Sequence, residues 1–133
     1  MRGPILFVCQ HGSAKSVIAA EHLNRLARQR GLPIRAESAG VEPDAQVPSH
    51  VVDGLATEGM DVTGYMPNLV TPARLAAAGL VVSLACDIDP DVFGQTPVER
   101  WDDVPAVSDG FAVARDAIVA RVERLIAALA SGA

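Results

Sequence analysis

A chain of 133 residues, half of them hydrophobic, can bury one core of ordinary size and reads as one domain over 1–133. Its net charge of −5 and the lack of any Lys/Arg-rich run exclude a basic surface for nucleic acid, and no apolar stretch reaches membrane-spanning length. The N-terminus enters a strand with no signal-like apolar region, so the expected location is cytoplasmic; two cysteines make no disulfide framework.

In chain order, Gly3–Gln10 reads as a buried parallel strand, because Ile5-Leu6-Phe7-Val8 is continuously apolar rather than alternating. A helix over Val17–Arg30 puts Ala19, Leu23, Leu26 and Ala27 on one stripe, and Gly31 stops it with Pro33 just beyond. Pro33–Ala39 is a second strand, ending at Ser38-Ala39-Gly40, and Val41–Val47 is a loop. A helix from Pro48 or Ser49 to about Glu58 follows, with Gly59 as its C-cap. Asp61–Val70 is irregular. Thr71-Pro72 opens a short helix with a capping hydroxyl and a proline at the first helical position, and Gly79 ends it. Leu80–Ala85 is a third buried strand, Asp87–Pro97 a loop, and Val98–Trp101 a short last strand. Ser108 or Asp109 caps a final helix in which Phe111, Ala114, Ile118, Val122, Leu125 and Leu129 recur every three or four residues.

Strands alternating with helices argue for an α/β fold with a parallel sheet covered on both faces. Ligands of such sheets sit at the carboxyl ends of the strands, where Cys9, Gly40 and Cys86 all fall. The first of these ends is chemically the richest. Cys9-Gln10-His11-Gly12-Ser13-Ala14-Lys15-Ser16 leads from a strand into a helix N-terminus. Successive backbone N–H groups and the positive end of the helix dipole make such a junction an anion site. The same field favours the thiolate of a cysteine at its lip, which is then a competent nucleophile.

The spacing Cys-x5-Lys-Ser from Cys9 to Ser16 resembles the Cys-x5-Arg-Ser loop of the low-molecular-weight protein tyrosine phosphatase superfamily, which includes arsenate reductases of the same fold. Ser38-Ala39-Gly40, the Gly64-Tyr65-Met66-Pro67 segment and the Trp101 region extend the resemblance over nearly the whole chain. It implies a three-layer α/β/α domain with a four-stranded parallel sheet. Cys9 would be the nucleophile, Gln10 to Ser16 the oxyanion cradle, Lys15 the cationic clamp, and the 61–70 segment one wall of the site. No metal and no organic cofactor is expected, since no His/Cys/Asp cluster has ligand spacing.

This sequence departs from the family pattern at several positions. Lysine for arginine exchanges a planar bidentate fork for a point charge, a loss of ~2–4 kcal/mol in transition-state stabilisation by analogy with other lost donors. Yet Lys15 is the only lysine beside ten arginines. Gly12 stands where the family often has a left-handed asparagine, and it adopts that conformation without strain. His11 is read as a loop-packing residue with a proton-transfer role as its alternative, and His22 and His50 as surface or packing residues. The family's Asp-Pro general acid is missing after Trp101, where the chain reads Asp102-Asp103-Val104-Pro105. Asp102 and Asp103 are the first candidates for that role, and Asp87 and Asp89-Pro90 the second. Cys86 is either an inert strand-end cysteine or a redox partner of Cys9. The leading expectation is a cysteine-dependent phosphatase acting on a phosphate monoester. An arsenate reductase served by a thiol donor, and an oxyanion-binding protein with weakened catalysis, are the alternatives.

Overall fold

Ile5–Cys9 forms the central strand, β1, which is paired in parallel on both sides in a computed structural model that describes residues 3–85 and 94–131. On one side β2 (Ala36–Gly40) runs in register from Ile5 opposite Ala36 to Cys9 opposite Gly40. On the other side lies β3 (Leu80–Ser83), followed by the edge strand β4 (Val98–Arg100), giving the order β2-β1-β3-β4 with all pairs parallel. The four-stranded parallel sheet expected from the sequence is therefore present.

Alternation along β1 divides the core. Ile5, Phe7 and Cys9 point to one face and pack with α1 (Lys15–Gln29), α2 (Ser49–Ala56) and α4 (Phe111–Ser131). Leu6 and Val8 point to the other face and meet Leu75 of α3 (Pro72–Ala77), Ala78 and Val81. A continuously apolar strand is what a sheet covered on both faces demands. Ala114, Ile118, Val122, Leu125 and Ile126 form the buried stripe of α4; Phe111 and Leu129 at its ends are only partly covered.

The boundaries shift for local reasons. Helix α1 begins at Lys15, two residues before the expected start, because the turn at Gly12 (φ +60°) is already complete there. Strand β2 begins at Ala36, three residues after Pro33, and includes Gly40. Strand β3 stops at Ser83, and Ala85 beyond it is left-handed (φ +54°), a conformation that cannot continue a strand. Ser108 and Asp109 lie in a 3-10 turn, Val107–Asp109, ahead of α4. Thr71 caps α3 as expected, its hydroxyl accepting the Arg74 amide at 3.1 Å.

Candidate functional site

Residues 10–14 turn from β1 into α1 with their carbonyls tied down. The Cys9 carbonyl accepts from the Val41 amide at 3.3 Å, that of Gln10 from Glu42 at 2.8 Å, and that of His11 from Asp44 at 3.1 Å. In a trans peptide the N–H points opposite to the C=O of the same unit. The amides of Gln10, His11 and Gly12 therefore face away from the 41–44 segment. Side chains reinforce this seam: Gln10 Nε2 donates to Glu42 Oε1 at 2.8 Å, His11 Nδ1 lies 3.0 Å from the Glu42 carbonyl, and Ser13 donates to Asp44 Oδ2 at 2.6 Å.

Two glycines let the loop sit this close. A Cβ on Gly12 would stand 2.6 Å from the Gly40 nitrogen, and a Cβ on Gly40 would stand 2.4 Å from the Gly12 nitrogen. The Ser38-Ala39-Gly40 strand end and the loop glycine are thus one backbone contact. Gly12 carries the further need for a positive φ.

At the far end of the loop α1 opens on Ala14, with no side chain capping its first amides. Those amides and the positive dipole end lie beside the thiol. Cys9 is almost fully buried and free, and its Sγ is 3.0 Å from the Oγ of the fully buried Ser16, with the proton on either atom. Lys15 Nζ donates to the Val104 carbonyl at 3.2 Å, which ties the loop to the segment after β4.

A cavity of about 320 Å³ opens here, lined by Cys9, Gln10, His11, Ser13, Ala14 and Lys15 from the loop. Asp44, Pro48 and His50 come from the segment after β2 and the start of α2, Leu84 and Ala85 from the end of β3, and Val107 and Ser108 from the turn before α4. Among the described residues no Phe, Tyr or Trp lines it. The Trp101 ring is buried against Phe7, 5.5 Å between centroids, and its Nε1 donates to Glu99 at 2.7 Å. Tyr65 bonds Ser38 and Asn68. Residues 61–70, expected as a wall, do not line this cavity.

The structure thus brings together Cys9, Lys15, Ser16 and the intervening loop. It does not bring Asp102 or Asp103 to them. Both are exposed, and Asp103 Oδ2 is 2.6 Å from Arg121 in a separate cavity with Glu99, Arg100 and Arg124. The Arg121 hydrogen bond holds the Asp103 carboxyl below the usual carboxylate range. Cys86, Asp87 and Asp89-Pro90 lie outside the described residues. Among the described residues, no group of three or more His, Cys, Asp or Glu side chains is placed to hold a metal, and no helix is long and apolar enough to cross a membrane.

Sequence reasoning missed Asp44, His50 and Ser108 as cavity residues. Asp44 sits in a stretch read as a plain loop, and only its position just after Ser-Ala-Gly, at a strand carboxyl end, could have flagged it.

Comparison with known proteins gives the same architecture. YfkJ from Bacillus subtilis superimposes with a TM-score of 0.82 at 20% identity, covering 99% of this chain and 97% of that one. A protein tyrosine phosphatase from Entamoeba histolytica gives 0.81 at 18% identity, with 98% of each chain covered. Arsenate reductase from Archaeoglobus fulgidus gives 0.72 at 28% identity, covering 92% of this chain and 98% of that one. Residues 4–104 match the family described as low molecular weight phosphotyrosine protein phosphatase. The chain belongs to the low molecular weight phosphotyrosine protein phosphatase family.

Proposed function

We propose that this protein is a cysteine-dependent phosphatase for small phosphate monoesters. The observation that carries the reading is the placement of the Cys9 sulfur, 3.0 Å from the Ser16 hydroxyl, at a helix N-terminus inside the cavity that Lys15 lines. The Ser16 O–H steadies the thiolate, as do the uncapped amides of α1. Attack of Sγ in line on phosphorus expels the alcohol and leaves a thiophosphoryl enzyme, which water then hydrolyses to phosphate. The loop amides and the first turn of α1 bind the equatorial oxygens. One of the three Lys15 N–H groups stays on the Val104 carbonyl and the others neutralise charge. The thin supply of aromatic residues in the chain, Tyr65, Trp101 and three phenylalanines, weighs against phosphotyrosine as the physiological group.

Arsenate reduction through a Cys9–arsenate adduct is the second reading, favoured by the likeness to the Archaeoglobus arsenate reductase and by a clamp of weaker geometry. A thiol reductant would be its partner.

The test is hydrolysis of an aryl phosphate at mildly acidic pH by the wild type, Cys9→Ser and Lys15→Arg, with phosphate and arsenate binding followed alongside. The expected result is turnover by the wild type, none by Cys9→Ser, and a rate for Lys15→Arg raised by about two to three orders of magnitude. Binding without turnover in all three ends the phosphatase reading. Thiol-dependent arsenate reduction then separates a reductase from an oxyanion-binding protein.

A further inference from the structure

Expelling a poor leaving group needs a proton donor in the cavity, and the two aspartates after Trp101 do not line it. Among the described residues one carboxyl does. We propose, resting on the phosphatase reading above, that Asp44 is the general acid and base of this enzyme.

Asp44 is held from two sides. Its amide donates to the His11 carbonyl at 3.1 Å, and its Oδ2 accepts from Ser13, a hydroxyl only 2% exposed, at 2.6 Å. The carboxyl is thus fixed to the loop that carries the nucleophile, with Oδ2 occupied and Oδ1 left to carry a proton. Oδ1 lies 3.8 Å from His11 Nδ1, a nitrogen already 3.0 Å from the Glu42 carbonyl. Lys15 at the start of α1, His50 on α2, Ser108 of the turn before α4 and Cys9 line the same cavity, and Glu42 on its own segment is engaged by Gln10. A space of about 320 Å³ brings a small phosphate ester against most of its walls, so its ester oxygen meets this carboxyl directly or through one water.

The proton balance closes. As the S–P bond forms and the P–O bond to the leaving group breaks, the Asp44 carboxyl proton moves to the departing oxygen, which leaves as the alcohol. The resulting carboxylate takes a proton from the water that attacks phosphorus. The P–S bond breaks, phosphate forms, and Cys9 is again a thiolate beside a protonated Asp44.

Leaving-group dependence reads this role apart from a structural one. The probes are phenyl phosphate, whose leaving group needs a proton, and 2,4-dinitrophenyl phosphate, whose leaving group does not. Asp44→Asn lowers kcat/KM for phenyl phosphate by about 100-fold or more and keeps the dinitrophenyl ester within a few-fold of the wild type. Asp44→Glu restores part of the loss. Ser13→Ala, which removes the tether and keeps the carboxyl, lowers kcat/KM for phenyl phosphate more than for the dinitrophenyl ester, and by less than Asp44→Asn does. Equal losses on both esters in Asp44→Asn, or none, overturn the proposal; so does a leaving-group-selective loss found instead in His11→Asn, His50→Asn, Asp102→Asn or Asp103→Asn. If the wild type is active and Cys9→Ser is dead while Asp44→Asn is flat, only the assignment of Asp44 falls. If the wild type hydrolyses neither ester, the phosphatase reading falls and takes this one with it.

Discussion

Helix α1 serves two polar regions, and they are built on opposite plans. At its N-terminus the cavity is framed by main chain: three carbonyls fixed to residues 41–44, two glycines in backbone contact, and one cation. On its flank, where α1 meets α2 and α4, side chains do everything. His22 is 5% exposed with Nε2 lying 3.6 Å from Glu58 Oε2 and making no hydrogen bond. Glu58 takes the Arg115 guanidinium through Nε and Nη2, and its carbonyl accepts from Arg25 at 2.6 Å. A framework built of backbone is intolerant of added atoms and keeps its shape whatever the pH. A cluster of buried side chains tolerates bulk at its rim and answers to protonation.

The largest effect should come from breaking the first plan. Gly40→Ala or Gly12→Ala drives a methyl into backbone at under 3 Å, and the second also forces a positive φ. Isothermal titration with phosphate should show binding lost in both variants. Thermal unfolding should show a cost of about 1–3 kcal/mol.

Breaking the second plan should lower stability and leave the cavity alone. Glu58→Ala strips Arg115 of one of its two carboxylate partners, leaving Asp116, and is expected to cost about 2 kcal/mol in denaturant unfolding, with phosphate affinity unchanged. Unchanged stability would show that solvent screens the pair.

A smaller effect follows from titration. Burial lowers the His22 pKa, with Arg115 and Arg25 adding to it and Glu58 opposing. Burial pushes Glu58 up but is outweighed by Arg115, His22 and Arg25, which hold it low. Both folded values lie below the unfolded ones, so the unfolded chain binds protons first as pH falls. As pH falls, stability should drop below about pH 6.5 through His22 and drop again below about 4.5 through Glu58. His22→Leu should remove the first decline and keep the second. A decline unchanged in that variant would assign it to another group.

The smallest effect concerns the cavity wall. Ala85 is the one non-glycine residue with positive φ among those described, and Ala85→Gly should change stability by no more than about 1 kcal/mol, in the stabilising direction if the left-handed strain exceeds the glycine's entropy cost.

Much of this was legible in the sequence for physical reasons. An apolar run such as Ile5–Val8, a stop such as Gly31 and a cap such as Thr71 act locally, so their elements could be read in place. The loop from Cys9 to Ser16 was legible because cysteine, glycine and helix start lie in one continuous stretch. The side of the cavity formed by Asp44, His50 and Ser108 was not, because those residues come from segments well removed along the chain and meet the loop only through the sheet order. Trp101 carries the family likeness from the core rather than from the cavity: its ring packs against Phe7.

The tied carbonyls between residues 9–11 and 41–44 have a consequence for diversification. A grip made of peptide groups does not depend on which side chains the loop carries, so Gln10, His11 and Ala14 can change while the cavity keeps the shape of its floor. On the phosphatase reading proposed above, selectivity among substrates then resides at the mouth, in Pro48, His50, Val107 and Ser108. Those are the positions to randomise when seeking a new ligand for the cavity, with the loop left as it stands.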